Sequence, residues 1–438
     1  MFNRVKGTSD YITSDIEKRG EILREFFRLI ELNCFNLVET PILELADLYK
    51  RSVAGSDIVS KEMYEFTDKG NRMLSLRPEG TAGFIRALIE NKWHIINDEF
   101  WPRTTKFAYY GPMFRYEQPQ KGRMRQFYQA GVEIIDGKSG DLNIYQDAEL
   151  INMAYELLDS LSVGFVLKIN SIGDQECRNK YQEELRKYLE QYKDELTPIS
   201  QERLKNNVFR ILDDKVDSQK PFMKKAPKLN DFLSSKSRDH FTKTLMLLDI
   251  LNIKYEIDFS LVRGLDYYDE IVYEFVSSAK DAGSQATIIG GGRYSNLVKE
   301  LGGPDLFAAG WGLGIDRLID IMKIEQGEKY SQDIEDNIDI VIGTSNPDYK
   351  ILLFGIAKEL RDRGFSTNFI YESIKSKKIY EKAQKNGAQY LISDDEKDPN
   401  GYCFVKNLFS GKKIKFNLIS ENSAAKVLDF IDESEDIF

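Results

Sequence analysis

Four cations, Arg115, Lys121, Arg123 and Arg125, crowd one short stretch of this chain, MFRYEQPQKGRMRQFYQAGVEII (residues 113–135). A guanidinium carries its N–H donors in a planar fork that fits phosphate or carboxylate oxygens, so cations at this density either grip a polyanion or solvate an exposed turn. Two more arginines share that ambiguity. Arg317 falls in the first turn of the helix expected after Gly314 in GLGIDRL, where a cation opposes the helix dipole. It is either a simple exposed arginine or one that faces an anion. Arg263 sits beside Gly264 in SLVRGLDYYDE, close to Asp266, Tyr267, Tyr268 and Asp269, and is either salt-bridged within a turn or aimed at a ligand. Together Arg115, Arg263 and Arg317 could form a triphosphate cradle of guanidinium forks, each charge-assisted bond contributing on the order of 1.5–3 kcal/mol.

Other chemistries are poorly served. His94 and His240 are the two histidines of the chain and neither lies in a metal-ligand or nucleophile motif. Cys34, Cys177 and Cys403 are far apart with no C-x-x-C, so neither a disulfide framework nor a zinc knot is indicated. GWGLGID and IIGGGRY do not give G-x-G-x-x-G between an early strand and its helix, and G-x-x-x-x-G-K-[ST] does not occur, which weakens dinucleotide-fold and P-loop readings. Catalysis is to be sought among carboxylates and arginines.

The net charge of −10, from 61 Lys+Arg against 71 Asp+Glu, argues against a small basic nucleic-acid-binding module. It leaves room for local basic patches on a large enzyme, because salt confines surface fields to about 10 Å. One such patch is IKSKKIYEKAQKNG, whose Lys375, Lys378, Lys382 and Lys385 fall along one helix face, either solvated or binding; GKKIKF adds Lys412, Lys413 and Lys415. No apolar run approaches the roughly 20 residues of a membrane span, and MFNRVKGTSDY has no apolar signal core, so a cytoplasmic enzyme is expected.

The elements that must position these groups read as follows. Residues 106–116 and 126–135 alternate like strands around a polar stretch with Pro119 and Gly122, a long-looped antiparallel hairpin. On its second strand Tyr128, Ala130, Val132 and Ile134 form one face, and Phe127, Gln129, Gly131 and Glu133 the other. Residues 15–33 are spaced as an amphipathic helix, followed by the strand-like NLVETPILE, which Pro41 interrupts. RMLSLRPEGTAGFIRALIENK reads as a strand entering a helix, with Glu79 and Thr81 at the turn. A helix near 145–161 precedes a charged helical insertion at about 175–235, and strands return with KYEIDFSLVRGLDYYDEIVYEFVSS, ATIIGGGRYSNLV and LFAAGWGLGIDRLIDIMK. A polar linker at 326–337 leads to residues 338–438, where strands and helices alternate as in a small α/β domain with a mainly parallel sheet.

The set ETPILE, FRYEQPQKGRMRQFYQAGVE and GLGIDRL resembles the three motifs of class II aminoacyl-tRNA synthetases. LRPEGTA, LVRGLDYY and GGGRYSNLV resemble sub-motifs of the histidyl-tRNA synthetase family, and the likeness runs through nearly the whole chain. It implies an α+β fold: a catalytic domain over residues 1–325 of antiparallel sheet flanked by helices, interrupted by the helical insertion, then a C-terminal α/β anticodon-binding domain, in a homodimer whose interface includes the Pro41 region. It implies that L-histidine is activated with ATP and Mg²⁺ and passed to tRNA(His). By resemblance Arg115 would hold the α-phosphate and Arg317 the γ-phosphate, with Arg123 also at ATP and Phe127 stacked on adenine. Arg263 would bridge the α-phosphate and the histidine carboxylate. Glu79, Thr81 and Gln129 would take the α-amino group and Glu133 and Tyr268 the imidazole, with Tyr267 also at histidine and Gly131 clearing the floor between Gln129 and Glu133. Gln118, Lys121, Arg123 and Arg125 would meet the tRNA acceptor end, which family members distinguish by an extra guanosine.

Three positions depart from the family pattern. Gln118 stands where bacterial members usually carry arginine, Ser295 and Asn296 replace a usual Asp-Gly, and Asp316 replaces a usual glutamate. Two rival readings remain at this level: a non-catalytic paralogue resembling the regulatory subunit of ATP phosphoribosyltransferase, and a class II synthetase for another amino acid.

Overall fold

Apolar side chains three and four apart set the first helix, α1 (Thr13–Leu32), which buries Ile22, Phe26, Leu29 and Ile30 on one face and leaves Ile16 and Phe27 exposed. The computed structural model describes residues 2–52, 62–95, 104–118, 123–137, 143–206, 208–212, 214, 216–262, 267–279, 286–327, 338–395, 400–420 and 422–435. Its contacts divide the chain into two units, Met1–Gly327 and Glu328–Phe438. The linker expected at 326–337 lies outside the described residues from 328 onward.

In the first unit Pro41 ends one pairing and begins another. The run NLVETPILE splits into β1 (Asn36–Val38) and β2 (Leu43–Leu45), which join different sheets. After α2 (Ala46–Ser52) come β3 (Tyr64–Thr67), β4 (Met73–Leu76) and α3 (Thr81–Glu90). β2, β4 and β3 form a three-stranded antiparallel sheet. The hairpin is β5 (Lys106–Phe114) and β6 (Gln126–Gly137), paired from Lys106 with Ile134 to Phe114 with Gln126.

Then follow α4 (Ile144–Ser160), β7 (Phe165–Ser171), α5 (Gln175–Glu190), α6 (Pro198–Asn206), α7 (Phe209–Leu212), α8 (Ser235–Ile250) and β8 (Glu256–Ile257). β9 (Asp269–Ser277), β10 (Thr287–Arg293), α9 (Leu297–Glu300), β11 (Leu306–Gly314) and α10 (Ile315–Gln326) complete the unit. The main sheet has the order β1-β5-β6-β11-β10-β9-β7-β8, antiparallel from β5 through β7 and parallel only at its two edge pairs. α1, α4, α8 and α10 pack on one another and on the sheet. Trp311 of β11 points to that side and donates its indole N–H to the Leu150 carbonyl at 3.0 Å. Behind the sheet Arg293 is fully buried, its Nε 2.9 Å from Asp147 Oδ1, and His240 Nε2 lies 2.8 Å from Asp147 Oδ2. The stretch 175–235 has no core of its own: Tyr181, Leu185, Leu189, Leu204 and Phe222 pack into the same apolar cluster as Phe84, Tyr267 and Tyr268.

The second unit holds β12 (Ile340–Gly343), α11 (Lys350–Asp362), β13 (Thr367–Phe369), α12 (Ser376–Lys385), β14 (Tyr390–Asp394), β15 (Tyr402–Asn407), β16 (Lys413–Asn417) and α13 (Ser423–Glu435). Its sheet order is β13-β12-β14-β15-β16. β12 is parallel to both neighbours, as the alternation of strand and helix requires, but β14, β15 and β16 run antiparallel, so the sheet is mixed and not mainly parallel. The links after β14 and β15 are too short for the crossover a parallel partner needs. Among the described residues no helix is long and apolar enough to cross a membrane.

Candidate active site

Register across the main sheet lays glycines side by side. Gly131 of β6 faces Gly312 of β11, which faces Gly290 of β10; Glu133 faces Gly310, which faces Gly292; Gln129 faces Gly314. Strand residues two apart share a face. The face away from Trp311 is therefore a floor almost bare of side chains, bordered by Tyr109, Gln129 and Glu133. Its bareness is enforced at Gly310, where a Cβ would lie 1.7 Å from Glu133 Oε2 and 2.3 Å from the Val132 carbonyl oxygen. Gly131 serves a different purpose from the one expected of it. A Cβ there would sit 2.4 Å from Tyr109 Cζ, so the space it clears is filled by the Tyr109 ring.

That ring helps build one end of the site. Glu133, 1% exposed, accepts at Oε1 from Thr81 Oγ1 (3.0 Å) and the Tyr109 hydroxyl (3.3 Å), and at Oε2 from the Tyr294 hydroxyl (2.5 Å). Burial pushes its carboxyl up to about 8 against the pull of these donors. Tyr267 and Tyr268 are buried alongside, with ring centroids 4.8 Å apart, and Tyr267 meets Tyr294 edge-on at 5.6 Å. Glu79 is also buried and accepts the Thr81 and Ala82 backbone N–H groups at 2.6 and 2.8 Å, satisfying the open donors at the start of α3. Burial raises its carboxyl too, with the Ala82 and Thr81 N–H groups and then the Arg115 charge acting against that.

The other end is cationic. Arg115, Glu117, Arg123, Phe127, Gln129, Thr287, Asp316 and Arg317 line a common cleft over Gly290, Gly312 and Gly314. Arg115 donates Nε–H to the Pro78 carbonyl at 2.8 Å and lies 5.2 Å from the Phe127 ring centre; Arg317 donates to the Thr287 carbonyl at 2.7 Å. Glu117 pairs with Arg123 at 3.3 Å and with Arg115 at 3.8 Å. Burial, then the Arg123 and Arg115 charges, lowers the proton affinity of Arg317. Gln129 joins the two ends, and its buried Oε1 has no partner among the described residues.

The structure thus brings together Glu79, Thr81, Glu133, Tyr267 and Tyr268 at one end, Arg115, Arg123, Phe127 and Arg317 at the other, and Gln129 between them. Arg125 stays outside the cleft, its guanidinium 4.0 Å from the Tyr116 ring centre, and Gln118 is exposed. Arg263 and Lys121 lie outside the described residues. Sequence reasoning missed Tyr109, Tyr294 and Glu117. Tyr294 follows GGGR directly and Glu117 sits between Arg115 and Arg123, so both were within reach; Tyr109 needs the β5–β6 register.

Comparison with known proteins decides the family. The Histidyl-tRNA synthetase family matches residues 7–318. The chain belongs to that family. It is 42% identical to the histidine–tRNA ligase of Ureaplasma urealyticum serovar 10, covering 95% of this chain and 97% of the relative. Against the histidine–tRNA ligase of Mycoplasmopsis pulmonis it is 39% identical, with 99% and 100% covered. The crystal structure of apo S. aureus histidyl-tRNA synthetase superposes with a TM-score of 0.75 at 32% identity, covering 95% of this chain and 98% of that one.

Proposed function

We propose that this chain activates L-histidine with ATP to histidyl-adenylate and transfers the histidyl group to the 3′ end of tRNA(His), releasing pyrophosphate and AMP. The observation that carries this is one floor of glycines running from a buried, hydroxyl-bound carboxyl at Glu133 to the guanidinium groups of Arg115, Arg123 and Arg317. Glu133 with Tyr267 and Tyr268 takes the imidazole, while Glu79, Thr81 and Gln129 take the α-amino group. The histidine carboxylate oxygen then attacks the α-phosphorus as the bond to the pyrophosphate oxygen breaks. Arg115 meets the charge on the α-phosphate, Arg123 and Arg317 hold the outer phosphates, and Phe127 stacks on adenine. Arg263, assigned from sequence alone, bridges the α-phosphate and the histidine carboxylate.

Magnesium bound to the triphosphate supplies charge neutralisation at the phosphate oxygens. Glu117 and Asp320 are cleft carboxylates that would hold it, and no group of three His, Cys, Asp or Glu residues suited to a metal occurs among the described residues.

The loop with Gln118, Lys121, Arg123 and Arg125 meets the acceptor end, and the second unit, with exposed Lys375, Lys378, Lys382 and Lys385, meets the anticodon arm. The working form is a homodimer in the cytoplasm. Its support is the small sheet, whose register puts Leu43, Leu45, Leu74, Leu76, Tyr64 and Phe66 on one face, with Leu43, Leu45 and Phe66 each more than two-fifths exposed. Leu45→Glu should yield monomers in sedimentation.

Pyrophosphate exchange run across the twenty amino acids tests the reaction. Exchange should appear with histidine, and isosteres that cannot bond through the ring should be rejected by about 10⁴. Histidine binding without exchange would overturn the proposal in favour of a non-catalytic paralogue.

A further inference from the structure

The nucleotide end of the cleft is braced by a segment to which the roles above give no task. Residues 5–8 form a turn in which Thr8 donates to the Val5 carbonyl from both its backbone N–H (3.1 Å) and its hydroxyl (2.7 Å), with Gly7 at φ +86°. The turn presents the Gly7 carbonyl to the Arg125 N–H at 2.7 Å, and the Arg125 carbonyl in turn accepts from the Arg115 N–H at 2.9 Å. Four residues further on, the Tyr11 hydroxyl donates to Asp316 Oδ1 at 2.8 Å, and Asp316 Oδ2 accepts the Tyr128 N–H at 2.5 Å. The Arg19 guanidinium packs 4.6 Å from the Tyr11 ring centre and 4.1 Å from that of Tyr128, and Lys323 of α10 pairs with Asp15 of α1 at 3.1 Å.

One carboxylate therefore links the segment to β6 and to the first turn of α10, immediately before Arg317. Arg317 needs such a hold. It is half-buried in a cleft it shares with Arg115 and Arg123, whose charges repel it. Hydrogen bonds to an ionised group are the strong kind, and they lock the backbone from which Arg317 projects.

We propose that residues 5–11 are a positioning strap for ATP, with Tyr11 the positioning residue that acts through Asp316 on Arg317, and Gly7 the one that acts through the Arg125 backbone on Arg115. This rests on ATP occupying the cationic end of the cleft. It is distinct from a merely structural role, which would weaken both ends of the cleft alike.

The test uses the full-length chain. Tyr11→Phe removes one oxygen and should raise the ATP dissociation constant, read by calorimetry without histidine, by roughly three- to thirtyfold. The histidine dissociation constant should stay within about twofold and the thermal midpoint within about 2 °C, since little packing is lost. Asp316→Glu, which keeps a carboxylate, should lie closer to wild type than Asp316→Ala. Gly7→Ala strains the turn at positive φ and should likewise raise the ATP dissociation constant, with that for histidine unchanged. Unchanged ATP affinity in Tyr11→Phe, or parallel weakening of ATP and histidine with a lower thermal midpoint, would overturn the strap. Wild-type protein that binds ATP without histidine-dependent exchange would discard the reaction proposed above while leaving this ATP comparison readable.

Discussion

At one end of the cleft Glu133 lies out of water with three hydroxyl donors on its carboxyl; at the other, Arg115, Arg123 and Arg317 share a cleft with Glu117 as the acidic group paired to two of them. At the first end the carboxyl is already held by three hydroxyls before any ligand arrives. The second holds like charges together, and burial and repulsion both disfavour the proton on Arg317. Preorganisation thus takes two forms here. In the proposed reaction the histidine ring meets a buried acid already held by hydroxyls, whereas the triphosphate meets a repulsion among cations that it relieves.

Removing a cation is the strongest way to separate the two. Arg317→Ala, like Arg115→Ala, should slow adenylate formation by about 10² to 10³, because each is aimed at phosphate charge. Thermal melting of the free protein should show only a small loss of stability in Arg317→Ala, since the bond to the Thr287 carbonyl goes together with the repulsion from Arg123 and Arg115. A matching loss of stability would erase the contrast.

Gly310→Ala attacks the other end. The new Cβ would press on Glu133 Oε2 and the Val132 carbonyl oxygen. Overpacking of this kind costs about 1–3 kcal/mol in denaturant unfolding. Histidine affinity should fall at least about tenfold on the same strain, with ATP affinity little changed. Calorimetry with each ligand separately measures both.

Proton linkage sharpens the comparison further. Folded, Glu133 keeps its proton up to about pH 8, against an ordinary value of 4.5 when exposed. Between those two values the native state binds more protons than the unfolded one, so this residue's contribution is full below pH 4.5 and is lost as pH rises to 8. Wild type should therefore lose stability relative to Glu133→Gln over that window, as read from paired urea titrations. Arg317→Ala should leave the profile in place.

The smallest effect is expected at Gln118, exposed at the base of the loop. A neutral amide lacks the charged bidentate fork with which arginine reads guanine. Aminoacylation by wild type should depend less on the extra acceptor-end guanosine than aminoacylation by Gln118→Arg. Transcripts with and without that nucleotide decide it, and an equally steep preference in both proteins discards the idea.

Local pattern made much of this legible. Alternation gave the hairpin and its two faces, helical spacing gave α1 and the helix after Gly314, and residue type singled out Arg115 and Arg317, which line one cleft with Gln129; the roles of Glu79, Gln129 and Glu133 came with the family resemblance. What escaped depends on pairing between distant segments. Tyr109 reaches Glu133 only because β5 lies beside β6 in one register, and Tyr11 meets Asp316 across a separation of 305 residues. Side-chain periodicity is silent on both. The β15–β16 hairpin was missed for another reason: helix and strand alternation earlier in that unit suggested a parallel continuation, and the shortness of the later links outweighed it.

Arg293 is fully buried on Asp147, 146 residues earlier in the chain. During synthesis at about 5–20 residues per second, Asp147 leaves the ribosome on the order of ten seconds before its counter-ion exists. Until then only His240, 93 residues beyond Asp147, can meet that carboxylate, and a buried carboxylate that lacks a cationic partner costs several kcal/mol, which disfavours docking of α4 on the sheet before β10 is made. The face that α4 buries in the folded chain carries Leu150, Ile151, Leu157 and Leu158. A fragment that ends before residue 293 should therefore leave α4 poorly docked, which limited proteolysis within residues 144–160 would show as faster cleavage than in the full chain.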